Sequence, residues 1–198
     1  MKQATNHRER TEKLVLMALL IAIVAILSYF GGFIKIGGLA SISLTLIPVV
    51  LGAALFGPWA GALLGGVSAV IFFITPDAAF WFGLDIAGTV ITVLIKGILA
   101  GFAAGIVYRL LSGFNRYLAV IVSAIVCPLV NTGIFLLGCL VFFIDNVSAS
   151  AAAEGMSIGA FLIIFYVGLN FVFELITNIV LSPAILRMLN LRKNKATR

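Results

Sequence analysis

Four polar side chains interrupt an apolar run that begins at residue 85 and continues to about residue 108; they are Asp85, Thr89, Thr92 and Lys96. An α-helix turns by ~100° per residue, so eleven residues bring the side chain back to within about 20° of its starting direction. All four therefore project from one side of a helix. Because a polar stripe in a membrane helix must face protein or water, the sequence predicts that this stripe lines a ligand cavity or supports its wall.

Two ionisable residues, Lys96 and Glu174, lie near the middle of predicted spans. In lipid each would cost roughly 2.5–3.5 kcal/mol or more, so both are expected to face the bundle interior. One interpretation is a structural ion pair between them. The other is that Lys96 contacts an anionic or polar group of a ligand. Lys96 lies ~16 Å below Asp85 by helical rise, which favours the structural role if the site is near the outer surface.

Asparagine side chains supply two further candidate contacts. Asn131 follows Pro128, which frees a backbone carbonyl, and irregular backbone at membrane depth is tolerated where it lines a cavity. Asn131 offers donors and an acceptor, so it is interpreted as a ligand contact, with interhelical hydrogen bonding as the alternative. Asn170, Glu174 and Asn178 recur every four residues, and Asn170 is nearer the outside and the better ligand candidate.

The composition identifies a polytopic membrane protein. The 198 residues are 63% hydrophobic and 10% charged, whereas a soluble domain carries roughly 25% charged residues. The P-loop, H-E-x-x-H and G-x-S-x-G patterns do not occur, so we expect no ATP site of its own, no catalytic residues and no metal or cofactor. The net charge of +6 is interpreted as membrane topology rather than as nucleic-acid binding.

Six apolar runs are predicted to span the membrane, at about residues 14–30, 42–56, 59–74, 85–108, 117–143 and 158–186 of a membrane domain at 14–189. Tails at 1–13 and 190–198 flank it. The amino-terminal tail, the two inner turns and the basic carboxyl-terminal segment from Arg187 onward hold eleven of the thirteen Lys and Arg residues, and the positive-inside rule then places both termini in the cytoplasm. We therefore expect an all-α, multi-pass protein of the cell membrane, built as a six-transmembrane-helix bundle.

Small residues at four-residue spacing predict faces where another helix approaches closely. They are Ala18 and Ala22 in the first span, Gly57, Gly61 and Gly65 around the third, and Gly97, Gly101 and Gly105 in the fourth.

Two predicted loops carry candidate ligand contacts. The glycine-rich loop at 31–41 holds Lys35, the single cation of the predicted outer loops. The loop at 75–84 holds Phe80, Trp81 and Phe82, which we interpret either as an interfacial aromatic belt or as a lid that stacks on a ligand.

Three of these features resemble the substrate-binding S components of energy-coupling factor (ECF) vitamin transporters. They are the A-x-x-x-A pair of the first span, the segment SLTLIPVVLGAALFGPWAGALLGG (Ser43 to Gly66), and the Asn170/Glu174/Asn178 ladder with its basic tail. The segment is similar to that family's "IP-v-x-G-a-x-x-x-GP-x-x-G" pattern, and within the family it most resembles the pantothenate-type group.

The resemblance implies a vitamin site open to the outside, built by the outer halves of spans four to six and the loops after spans one, three and five. It also implies a transmembrane coupling subunit, which the Ala18/Ala22 face would contact, and two cytoplasmic ATPases. Lys35 or Lys96 would suit the carboxylate of pantothenate, whereas the aromatic loop would equally suit riboflavin or a pyrimidine. The alternative function is a stand-alone secondary transporter, driven by protons through Asp85 and Glu174.

Overall fold

The computed structural model describes the backbone of residues 2–31, 35–36, 40–41 and 44–196, and the side chains of residues 10–31, 44–166, 168 and 171–190. Within these ranges the chain is helical apart from turns and a two-residue antiparallel ladder. The elements are α1 (Lys2–Gly31), β1 (Lys35–Ile36), β2 (Ala40–Ser41), α2 (Leu46–Phe56), α3 (Pro58–Phe72), α4 (Pro76–Leu84), α5 (Ile86–Leu111), α6 (Arg116–Phe142), α7 (Ile144–Ala153), α8 (Ile158–Phe161), a π-helical segment (Leu162–Val167) and α9 (Gly168–Ala196).

Several of these helices are long and apolar enough to cross a membrane. In the described part of the chain, four single helices meet that condition: Arg10–Gly31, Ile86–Leu111, Arg116–Phe142 and Phe171–Asn190. Two bent pairs raise the number to six if each counts as one span: α3 with α4, at 82°, and α7 with the helix at Ile158–Tyr166, at 92°. The prediction of an all-helical, multi-pass membrane protein is thus confirmed, with four to six candidate spans.

Two segments predicted as loops are helices instead. The aromatic segment at 75–84 forms α4. Thr75 is extended and Pro76 occupies the first turn, where backbone N–H groups have no partner within the helix, so the missing N–H of proline costs nothing. The segment predicted as a polar loop at 144–157 forms α7 over most of its length. The last predicted span is also not a uniform α-helix, since the π-helical segment separates α8 from α9.

Helices α3 and α5 pack backbone against backbone along the glycines predicted to form close contacts. A Cβ atom built on Gly61 would overlap the Gly101 carbonyl, and one built on Gly65 would overlap the Gly97 carbonyl. A Cβ on Gly105 would lie 2.5 Å from the Cα of Pro58. The residue numbers rise on one helix as they fall on the other, so the helices run antiparallel. Glycine permits this approach because it has no side chain.

The buried apolar residues form two clusters at different levels of the bundle. The larger joins α1, α2, α3, α5, α6 and α9, and includes Val24, Val50, Leu64 and Ile185. The smaller joins α6, α7, α8 and the π-helical segment around Phe143. It lies at the end of the bundle where α5 begins and α6 ends, which we call the Asp85 end.

Candidate functional site

The polar face of α5 is turned toward α6. A Cβ on Gly88 would lie 2.6 Å from the Cβ of Phe142, and one on Gly138 would overlap the side chain of Thr92. One turn further along α5, the Lys96 ammonium lies over the ring of Phe135. The three contacts follow one another along α5 from the Asp85 end, and each lies about one helical turn from the next. They place the polar stripe between two helices, as expected for polar groups in a membrane protein.

Two members of the stripe, Asp85 and Thr89, bond to nearby backbone. Asp85 caps α5: its Oδ1 accepts a hydrogen bond from the Ala87 N–H at 3.0 Å and its Oδ2 accepts one from the Gly88 N–H at 2.9 Å. The Thr89 hydroxyl lies 2.9 Å from the Trp81 carbonyl and 2.6 Å from the Asp85 carbonyl. An N-cap carboxylate satisfies helix N–H groups that have no intrahelical partner. The Asp85 side chain therefore fixes the first turn of α5, and the Thr89 hydroxyl links α5 to the last turn of α4.

Thr92 occupies the next position of the stripe and is buried, with 4% of its surface exposed. Its Oγ1 has no hydrogen-bond partner among the residues that the structure describes. Its methyl and hydroxyl groups pack on Gly138. Thr92 therefore sets the spacing of α5 and α6 at this level.

Lys96 is held by aromatic rings. Its Nζ lies 5.0 Å from the centroid of the Phe135 ring and 5.7 Å from that of Phe72. No side chain in the described ranges lies within hydrogen-bonding or ion-pairing distance of this ammonium. A cation over an aromatic face is stabilised by ~0.5–2 kcal/mol. Glu174 is within electrostatic range of Lys96, but the direct ion pair considered from the sequence is not formed.

An aromatic cluster adjoins Lys96. Trp81 on α4 lies at its centre, with ring centroids 5.3 Å from Phe135 and Phe143 and 5.6 Å from Tyr166. Phe135 and Tyr166 are themselves 5.9 Å apart. All of these pairs except the tilted Trp81–Tyr166 pair are edge-to-face, and such pairs stabilise by about 0.5–1.5 kcal/mol beyond the area they bury. The cluster joins α4, α6 and the π-helical segment, and Phe135 connects it to Lys96.

A ladder of buried polar residues runs along α9. Glu174, Asn178 and Ser182 have 1%, 0% and 3% of their surface exposed. The Asn178 Nδ2 donates to the Glu174 carbonyl at 2.7 Å, and the Ser182 hydroxyl donates to the Asn178 carbonyl at 2.8 Å. Two members of the predicted ladder, Glu174 and Asn178, thus face the protein interior, and Glu174 is the one whose charge acts on Lys96.

The remaining predicted contacts divide into three groups. Asn131 is partly buried on α6, one turn before Phe135 and hence on the same face. The side chains of Lys35 and Asn170 lie outside the described residues. Ala18 and Ala22 lie on an exposed face of α1.

Four aromatic side chains of this region are not among the residues selected from the sequence: Phe72, Phe135, Phe143 and Tyr166. The four-residue spacing of Asn131 and Phe135 could have indicated Phe135. Nothing in the sequence places Tyr166 beside Trp81, because that contact depends on how the π-helical segment packs.

Together the apolar spans, the interior charges and the aromatic cluster define an integral membrane protein with polar groups gathered between its helices. The family model described as "ECF transporter, substrate-specific component" matches residues 12–186. The chain belongs to that family, which confirms the resemblance seen in its sequence. Such components are substrate-binding transporter subunits rather than enzymes, and work with a small-molecule substrate and with the ECF module, which has the ATPases. No match to a curated protein was found.

Proposed function

We propose that this chain is the vitamin-binding subunit of an ECF-type importer in the cell membrane, with six spans and both termini in the cytoplasm. Pantothenate is the first candidate substrate, and the alternatives are riboflavin, hydroxymethylpyrimidine or another vitamin. The observation that carries the proposal is the convergence of Lys96, Glu174 and the Trp81 aromatic cluster between helices of a chain in this family. ATP would be hydrolysed by two separate cytoplasmic ATPases.

The proposed substrate site lies on the Asp85 end of the bundle, which we place toward the outside. Trp81 and Phe135 offer ring surface for an apolar part of the substrate, and Lys96 offers N–H donors. Asn131 lies one turn below Phe135 and offers both a donor and an acceptor. Asp85 and Thr89 would act on the substrate only indirectly, through the start of α5 and its contact with α4, since their side chains bond to backbone groups.

The coupling subunit is proposed to contact the Ala18/Ala22 face of α1. Both residues are exposed, and their spacing of four presents two small side chains on adjacent turns. A partner helix could therefore approach the α1 backbone closely there.

Binding and uptake measurements test the two parts of this proposal separately. Purified protein should bind one vitamin of a panel in calorimetry, and cells with the coupling subunit and ATPases should accumulate it. The double variant Ala18→Trp/Ala22→Trp should lose uptake and keep binding. The control is Ile23→Trp, which is also exposed on α1 but lies roughly 100° around the helix from Ala22. Normal uptake by the double variant would remove the docking role.

The proton-driven alternative has a different signature. Uptake that persists without the ATPases and follows the proton gradient would favour it. That alternative uses Asp85 as a relay group, and the N-cap hydrogen bonds already engage both of its oxygens.

A further inference from the structure

The Lys96 ammonium is in an unusual position for a cation inside a membrane protein. It lies ten residues into α5, roughly 15 Å from the helix start by helical rise. The groups that contact it within the described side chains are the rings of Phe72 and Phe135. A ring face attracts a cation electrostatically, but it does not accept a conventional hydrogen bond from the ammonium N–H groups as an oxygen atom would. An ammonium in this setting can still gain strong, charge-assisted hydrogen bonds.

The surroundings of Lys96 favour an anion from the ligand as the source of those bonds. Thr89 on the same face of α5 bonds to backbone carbonyls, and Thr92 packs on Gly138. Glu174 acts on Lys96 over a longer range than an ion pair. Lys96 is partly buried and its ammonium borders the aromatic cluster through Phe135, so a ligand seated on that cluster would present its polar end to Lys96.

We propose that Lys96 determines specificity for a carboxylate, and that the two phenylalanine rings hold the ammonium until the carboxylate replaces them. This inference rests on the proposed substrate-binding function and narrows it to organic monoanions with a carboxylate end. On binding, Lys96 leaves the ring faces and donates to the carboxylate oxygens. Riboflavin and hydroxymethylpyrimidine, which have no carboxylate, are then not the substrate.

If the rings hold the ammonium before binding, then removing one ring should increase the ligand affinity. A cation–π contact present before binding and lost on binding weakens the ligand affinity. Phe72 lies on α3 and is not one of the rings that contact Trp81 in the described part of the chain, so its replacement removes this cost without altering the aromatic cluster. Phe72→Leu should tighten carboxylate binding by about 2- to 30-fold, which corresponds to the ~0.5–2 kcal/mol of a cation–π contact.

The experiment compares matched ligands on the purified full-length chain in lipid nanodiscs. Calorimetry measures pantothenate against pantothenol, in which a hydroxymethyl group replaces the carboxylate, and against biotin, nicotinate, riboflavin and hydroxymethylpyrimidine. Wild-type protein should prefer pantothenate to pantothenol by about 10- to 150-fold, the range for a hydrogen bond to a charged group. Lys96→Met should bind the two equally, at the pantothenol level. Lys96→Arg should retain at least part of the preference because it keeps the charge.

Several outcomes separate this inference from the proposed function. Arg109→Gln serves as the control, since it removes a cation from the opposite end of α5 and should leave the preference unchanged. Tight binding of a neutral vitamin, or equal binding of pantothenate and pantothenol by wild-type protein, would overturn the carboxylate assignment and leave vitamin binding standing. Absence of binding to every compound by protein that elutes as a folded monodisperse species would overturn both. Weaker binding in Phe72→Leu would refute the holding role of the rings alone.

Discussion

The antiparallel contact of α3 and α5 makes a quantitative prediction for single methyl groups. In Gly61→Ala the new Cβ would overlap the Gly101 carbonyl and would lie 2.7 Å from the Cβ of Ala53. Since non-bonded carbon contacts are optimal near ~3.5–4.0 Å, the two helices must separate by about 1 Å. That movement also loosens the contacts at Gly65 and Gly105, because all three belong to the same pair of helices.

The expected size of this effect follows from two opposing contributions. Overpacking costs typically ~1–3 kcal/mol, and here the obstacle is backbone, which cannot rotate away. Replacing glycine by alanine within a helix returns ~0.5–1 kcal/mol. Gly61→Ala and Gly101→Ala should therefore each lower the free energy of unfolding by about 1–2 kcal/mol. Gly133 lies inside α6 with nothing within 4 Å of a built Cβ, so Gly133→Ala should raise it by ~0.5–1 kcal/mol.

Reversible unfolding by sodium dodecyl sulfate in mixed micelles measures these differences, with helical circular dichroism as the signal. All three variants make the same chemical change within a helix, so their contrast isolates the contact. Equal stability of Gly61→Ala and Gly133→Ala would show that α3 and α5 do not meet at their backbones, and the arrangement derived above would be wrong.

Three further substitutions test the candidate site. Asn131→Ala should weaken vitamin binding by ~1–3 kcal/mol in calorimetry if the amide makes a buried contact, and an unaltered dissociation constant would remove it from the site. Lys96→Ala combined with Glu174→Ala should destabilise by less than the sum of the single changes, since each leaves the other charge in the protein interior; additive thermal unfolding data would show that the two charges act independently. Asp85→Ala should cost about 1 kcal/mol of stability through the lost N-cap, and a change in affinity without a change in stability would instead indicate direct ligand contact.

The sequence predicts the faces of the helices better than it predicts their partners. Four-residue glycine spacing identified the close-packing faces of α3 and α5 correctly, because only a residue without a side chain permits backbone contact. It could not show that these two faces pack on each other, since each face alone is equally compatible with any small-residue helix. The same holds for the polar stripe of α5, whose interior orientation was predictable but whose contact with α6 at Gly138 was not.

The roles of single polar residues were less predictable than their orientation. Asp85 and Lys96 share a face, yet one caps a helix and the other lies on aromatic rings. The difference arises at the helix boundary: Asp85 precedes the first turn, where N–H groups lack partners, and Lys96 lies where every backbone group is satisfied. The error at the aromatic segment had a similar origin. Its Thr-Pro-Asp start is typical of a helix N-terminus, but its many aromatic residues are also typical of a loop at the membrane interface, which is what the sequence analysis predicted.

The position of Lys96 depends on the same contacts that hold the bundle together. Its neighbour Gly97 lies against Gly65 on α3, and Thr92, one turn earlier, lies against Gly138 on α6. Consecutive side chains on a helix differ by ~100° in direction, so fixing Gly97 toward α3 directs Lys96 toward the adjoining space, where Phe72 and Phe135 lie. Neither helix can move away without altering the distance between the ammonium and the rings. The glycine contacts therefore both stabilise the fold and fix the direction of the Lys96 side chain, and substitutions at Gly97 and Gly138 should affect binding as well as stability.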